Sequence, residues 1–98
     1  MKNTYVIGLS PKKLLNIQDH YDYDRNEYYI WRLMHSVPFI EATLISGLDD
    51  AKHVLNEIQE RYNEILIMAP TVFHSVIHGN DFDPMQLHIY RVELREVM

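Results

Sequence analysis

Thr4-Tyr5-Val6-Ile7-Gly8-Leu9-Ser10-Pro11-Lys12-Lys13-Leu14-Leu15 is the stretch on which the fold turns. Its first half is rich in β-branched and aromatic side chains, so Thr4–Leu9 reads as a strand. Ser10 is a good helix cap, and Pro11 suits a first helical position, where the missing N–H has no helical partner to lose. Leu14, Ile17 and Tyr21 recur at i, i+3 and i+7, with Leu15 adjacent. That stripe predicts a helix of about three turns, ending near Tyr23.

A second helix start, Ser46-Gly47-Leu48-Asp49, follows a second strand-like run. Ser46 is the expected cap, with Asp49 three residues on. Ala51, Val54, Leu55, Ile58 and Tyr62 form the expected buried stripe. Asp49, Asp50, Lys52, Glu57, Gln59 and Glu60 form the wet face. Early acids suit the positive end of the helix dipole, and Glu57 and Arg61 stand at i, i+4. Each such effect contributes only about 0.3–1 kcal/mol. Burial of the apolar stripe, at about 1.5–3 kcal/mol per side chain, decides the helix.

Between the two helix starts lie Tyr28–Met34 and Phe39–Ser46, separated by His35-Ser36-Val37-Pro38. The first run also has helical spacing at Tyr28, Trp31 and Met34, with Asp24 and Glu27 as a capping box. Its β propensity favours a strand, and the break at Pro38 makes the pair a hairpin. Ile65–Met68 is expected as a further strand, ended by Ala69-Pro70. Thr71–His78 and Met85–Val97 flank turn-forming Gly79-Asn80-Asp81-Phe82-Asp83-Pro84, which predicts a last hairpin with a bulge at Ile89-Tyr90. The order is strand, helix, strand, strand, helix, strand. It predicts an α+β, ferredoxin-like split βαβ domain over residues 1–98: an antiparallel sheet with two helices on one face and an extra C-terminal β-hairpin.

Composition sets the outer limits. Ninety-eight residues suffice for one modest core. Apolar residues at 47% against 23% charged argue for a folded chain. The chain has no cysteine, which removes disulfides, thiolate nucleophiles and cysteine-zinc sites. That fits a cytoplasmic protein. No long apolar run opens the sequence and none approaches a membrane span, so neither a leader nor a membrane is expected. The net charge of −5 is uneven: residues 1–18 carry +3 and residues 19–98 carry −8. So acidic a body repels phosphate backbones and disfavours direct nucleic-acid binding.

No catalytic motif is present. The serines lack a nucleophile-elbow context, and Gly8, Gly47 and Gly79 are isolated, so no phosphate-cradling loop exists. Asp22-Tyr23-Asp24-Arg25-Asn26 opens like a calcium loop. Glu27 then stands where glycine must turn the chain, and Leu33 where the bidentate Glu belongs. Asn80, Asp81 and Asp83 read as turn formers. Of six histidines, His74 and His78 share a strand face in the expected hairpin, while His88 falls on the other. No metal site and no cofactor are expected.

The segment from Asp19 to Tyr29 carries the functional expectation. It interleaves Asp19, Asp22, Asp24 and Glu27 with Tyr21, Tyr23, Tyr28 and Tyr29. Tyrosine gives large contact area with few rotatable bonds, and carboxylates beside it complement arginine or lysine. The expected function is a small acidic, non-enzymatic interaction protein. It would inhibit or regulate a partner with a basic surface, at the extreme a nucleic-acid-binding protein whose groove it blocks by mimicking nucleic-acid charge. Small accessory or virus-encoded inhibitors share this general composition. The competing expectation is a small dimeric ferredoxin-like enzyme or small-molecule binder with His74, His78 or His88 as acid or base. Self-association through the C-terminal hairpin, giving a homodimer, is compatible with either.

Overall fold

The computed structural model describes residues 3–28, 35–68 and 84–93. Among these, strand β1 spans Thr4–Ser10, β2 Lys13–Leu14, β3 Tyr21–Asp22, β4 Glu27–Tyr28, β5 Ile45–Ser46 and β6 His88–Val92. One α-helix, α1, spans Leu48–Met68. Short 3-10 turns cover Gln18–His20, Phe39–Glu41 and Pro84–Gln86. The class is α+β, with one α-helix among the described residues packed against an antiparallel sheet.

β1 is the centre of that sheet. Along one edge it pairs with β6, from Thr4 opposite Val92 to Gly8 opposite His88. Its other edge is shared: Thr4 and Tyr5 meet Ser46 and Ile45 of β5, and Gly8 and Ser10 meet Leu14 and Lys13 of β2. β3 and β4 form a separate small hairpin. Ile7, Leu15, Ile17, Ile58, Tyr62 and Leu87 form the core, with Val54, Leu55, Ile65 and Ile89 packed on it.

The expected first helix is absent from residues 11–23, and the described residues do not show the ferredoxin-like order. Ser10 pairs with Lys13, so Pro11-Lys12 is the two-residue tip of a β-hairpin. Proline's fixed φ suits the second position of a turn as well as it suits a helix start. The register then slips between Gly8 and Ser10, leaving a bulge at Leu9. Leu15 and Ile17, two residues apart, both enter the core, so the apolar pattern is satisfied by extended chain.

Long-range hydrogen bonds hold this segment extended. The Leu15 amide donates to the Ile7 carbonyl (2.9 Å), and the Thr43 amide to the Leu15 carbonyl (3.1 Å). Leu14 and Val37 exchange a pair of backbone bonds at 3.0 and 2.8 Å. The Thr43 hydroxyl oxygen accepts from the amides of Ile17 (2.8 Å) and Gln18 (2.9 Å). Thr43→Val keeps the shape and removes that acceptor, leaving the part-buried Ile17 amide unsatisfied while the exposed Gln18 amide turns to water. Loss of about 2 kcal/mol is expected, with Thr43→Ser close to wild type. Urea unfolding of the three proteins checks this; equal midpoints for Val and Ser would contradict it.

The second helix stands where expected, with its ends moved. Ser46 is in β5 and does not cap. Gly47, at φ 91°, precedes the helix, and its carbonyl accepts the Ala51 amide at 3.2 Å. Glycine adopts that backbone readily, and its own amide donates to the Asn3 carbonyl at 2.8 Å, tying helix start to strand start. Ala51, Ile58 and Tyr62 are buried, with Val54 and Leu55 half-buried, as the stripe predicts. The strand expected at Ile65–Met68 is instead the last turn of α1, because Ile65 continues the stripe of Ile58 and Tyr62 at helical spacing. The strand expected over Phe39–Ser46 shortens to Ile45–Ser46, since the chain after Pro38 winds into a 3-10 turn. Of Tyr28–Met34, only Tyr28 falls among the described residues, in β4. The Thr71–His78 strand and the turn up to Asp83 lie outside them, as do residues 94–98.

Candidate functional site

The β3–β4 hairpin carries most of the acid–tyrosine segment. Its four-residue loop, Tyr23–Asn26, is folded by Asp22: Oδ1 accepts the amides of Asp24 (3.0 Å) and Arg25 (3.2 Å), and Oδ2 lies 3.8 Å from the Arg25 Nε. Asn26 closes the loop at φ 57°, a conformation asparagine tolerates better than most residues. Asp22 is therefore a turn-forming residue, the local bonding typical of Asp in loops. Asp19 is similarly engaged, bridged to Asn16 at 2.9 Å through its side chain and 3.2 Å through its amide, yet it stays exposed.

The tyrosines meet as corners. Tyr21 lies 4.9 Å from Tyr23 at 74° and 4.8 Å from Tyr28 at 68°, centroid to centroid. Edge-to-face contacts of this kind contribute about 0.5–1.5 kcal/mol beyond area burial. Tyr21 and Tyr28 are half-buried, whereas Tyr23 is 75% exposed, beside exposed Asp24 and Arg25. The Tyr21 hydroxyl donates to Asn26 Oδ1 within the hairpin. The Tyr28 hydroxyl donates to Glu57 Oε2 on α1 at 3.2 Å. Glu57 Oε1 also accepts from His53 Nε2 at 2.8 Å, one turn earlier on α1. Burial, and then the adjacent Glu57 carboxylate, push the Tyr28 phenol well above its usual pKa. It remains a neutral donor wherever its carboxylate partner is ionised.

These rings wall an open groove of about 310 Å³ between the hairpin and the sheet, with Ile17, Thr43 and Val54 among its lining residues. Tyr28 also borders a second, more polar hollow of about 280 Å³ formed with Arg25, Glu57, Glu60, Arg61 and Glu64. One tyrosine thus separates an aromatic groove from a charged one that holds three carboxylates and two guanidinium groups.

Of the expected partner-binding residues, the fold brings Tyr21, Tyr23 and Tyr28 together, with Asp22 and Asp24 in the same hairpin and Asp19 just before it. Glu27 takes its place in β4 opposite Asp22, and Tyr29 lies outside the described residues. His74 and His78 also lie outside them. His88 is exposed on β6, its ring 6.3 Å from Tyr90, and by alternation faces away from Leu87 and Ile89. Glu57, Thr43 and Val54 were invisible as site residues in sequence; each arrives from a distant segment. No group of three or more His, Cys, Asp or Glu among the described residues is placed to hold a metal ion. No helix among them is long and apolar enough to cross a membrane. No protein-family model, curated protein or solved structure matches the chain.

Proposed function

We propose that this chain is a non-enzymatic interaction protein that binds, and so inhibits or regulates, a protein with a basic surface. The observation that carries this reading is the β3–β4 hairpin. It holds an exposed tyrosine against a second ring, with carboxylates at Asp19, Asp24 and, across Tyr28, Glu57. Exposed aromatic area beside acids is the surface chemistry that basic partners bind. The −8 balance of residues 19–98 adds long-range attraction for such a partner and repulsion for nucleic acid itself. A nucleic-acid-binding protein is the kind of partner whose surface suits this charge. The absence of cysteine agrees with work in the cytoplasm.

The test is affinity retention of proteins from a cell extract by the wild-type chain and by an Asp19→Lys/Asp24→Lys variant. Both are washed at about 0.1 M and about 1 M NaCl, where the screening length falls from about 10 Å to about 3 Å. The expected result is one basic protein retained by wild type at low salt, released at high salt and not retained by the variant. Identical retention by the two chains, or a retained protein that is acidic, overturns the reading.

A further inference from the structure

The aromatic groove has features that a solvated hairpin does not require. Three tyrosines enter it from one short hairpin, while Ile17, Thr43 and Val54 come from the sheet side and α1. Tyr23 and Tyr28 each stand steeply against Tyr21, at 74° and 68°. A stack buries ring faces against one another; in an edge-to-face pair the ring offering its edge keeps both faces free of its neighbour. Aromatic faces are negative and attract cations, while ring edges are positive.

One hydroxyl strengthens that polarity: Tyr28 donates to the Glu57 carboxylate, whereas Tyr21 donates to the neutral Asn26 Oδ1. A phenol that donates its proton towards an anion carries more electron density in its ring, so the face becomes a better seat for positive charge. Glu57 itself lies on the far side of Tyr28, towards the charged hollow. A cation over the Tyr28 ring would be attracted by both, without stripping water from the carboxylate. Apolar Ile17 and Val54 suit the methylene stem that carries such a cation.

We propose that the Tyr21–Tyr23–Tyr28 groove is the seat for one arginine side chain of the partner, its guanidinium plane laid on one tyrosine face, beside the steeply inclined neighbouring ring, and its stem along Ile17 and Val54. This rests on the reading of the chain as a binder of a basic protein and names the contact that would give it specificity. Guanidinium is planar and weakly hydrated, so it suits an aromatic face better than the compact, strongly hydrated lysine ammonium.

The test uses two five-residue peptides, Gly-Ser-Arg-Ser-Gly and the same peptide with citrulline, a neutral isostere, in place of arginine. Each is titrated into the full chain while the tyrosine ring signals are followed by NMR. Saturable shifts at Tyr21, Tyr23 and Tyr28 are expected, with the arginine peptide about tenfold tighter than the citrulline peptide. Tyr23→Leu should lose most of that preference and Tyr23→Phe should keep it. Tyr23 is exposed, so both variants should fold. Equal binding of the two peptides, or no shift with either, overturns the seat. So does tighter binding of choline than of the arginine peptide, since the groove then prefers a quaternary ammonium. If the peptides are indistinguishable while Asp19→Lys/Asp24→Lys still loses a basic partner, the groove proposal fails and the interaction reading stands. If the arginine preference is present but no basic partner is retained, the reverse holds.

Discussion

Ile58→Ala lowers the stability of the folded chain by about 3 kcal/mol, with the melting temperature down by roughly 15 °C. Ile58 is 1% exposed, midway along α1, and belongs to the cluster that contains Ile7 of β1, Leu15 and Ile17 of the following segment, and Leu87 before β6. Removing its outer carbons forfeits their burial and leaves a void bounded by several elements, which cannot all close in together. Alanine is the better helix former, but that returns only about half a kcal/mol. The effect is therefore a measure of docking, because an isolated helix would gain from the change. Asn63→Ala, on the exposed face of the same helix, is the control and should change stability by less than about 1 kcal/mol, in the stabilising direction. Urea unfolding of both variants decides the matter. If Ile58→Ala is no worse than the control, α1 does not rest on the sheet as described.

How much of this was legible beforehand differs sharply between the two halves of the chain. α1 was readable because independent signals agree: acids at its start, a stripe from Ala51 to Tyr62, and polar residues between. Its end is ambiguous in sequence because Ile65-Leu66-Ile67-Met68 is a short apolar run, which periodicity alone cannot assign to strand or helix. The segment after β1 is ambiguous for a related reason. Over only a few residues, Leu14, Leu15 and Ile17 fit a helical stripe and an extended chain equally. What decides between them lies far away, in the Thr43 hydroxyl, the Val37 backbone and the Ile7 carbonyl. The candidate site divides in the same way. Its tyrosines and aspartates are close in sequence and were visible as a group. The groove they line needs Val54, and the ring polarity needs Glu57, 29 residues from Tyr28. No local pattern announces such partners.

Gly8→Ala is the substitution that tests the corrected topology most directly, and it should cost about 3 kcal/mol. A methyl group at Gly8 would sit 2.4 Å from the Lys13 carbonyl oxygen, 2.7 Å from Leu14 Cδ2 and 2.8 Å from Leu14 Cα. Two of those atoms are backbone, so a side-chain rotation at Leu14 relieves only one contact. The hairpin must open at the bulge, disturbing Leu14 and the Leu15–Ile7 bond beside it. The sign carries the information. Were Ser10-Pro11 the start of a helix, Gly8 would be an ordinary strand residue. Alanine would then stabilise the chain by about 0.5–1 kcal/mol, by restricting the unfolded state. The two topologies thus predict opposite directions for the same one-carbon change. Thermal and urea unfolding of Gly8→Ala, with Ser10→Ala as a neighbouring control at the hairpin rim, distinguish them. A midpoint at or above wild type would mean that β2 does not fold back across Gly8, and the hairpin at Pro11-Lys12 would have to be abandoned.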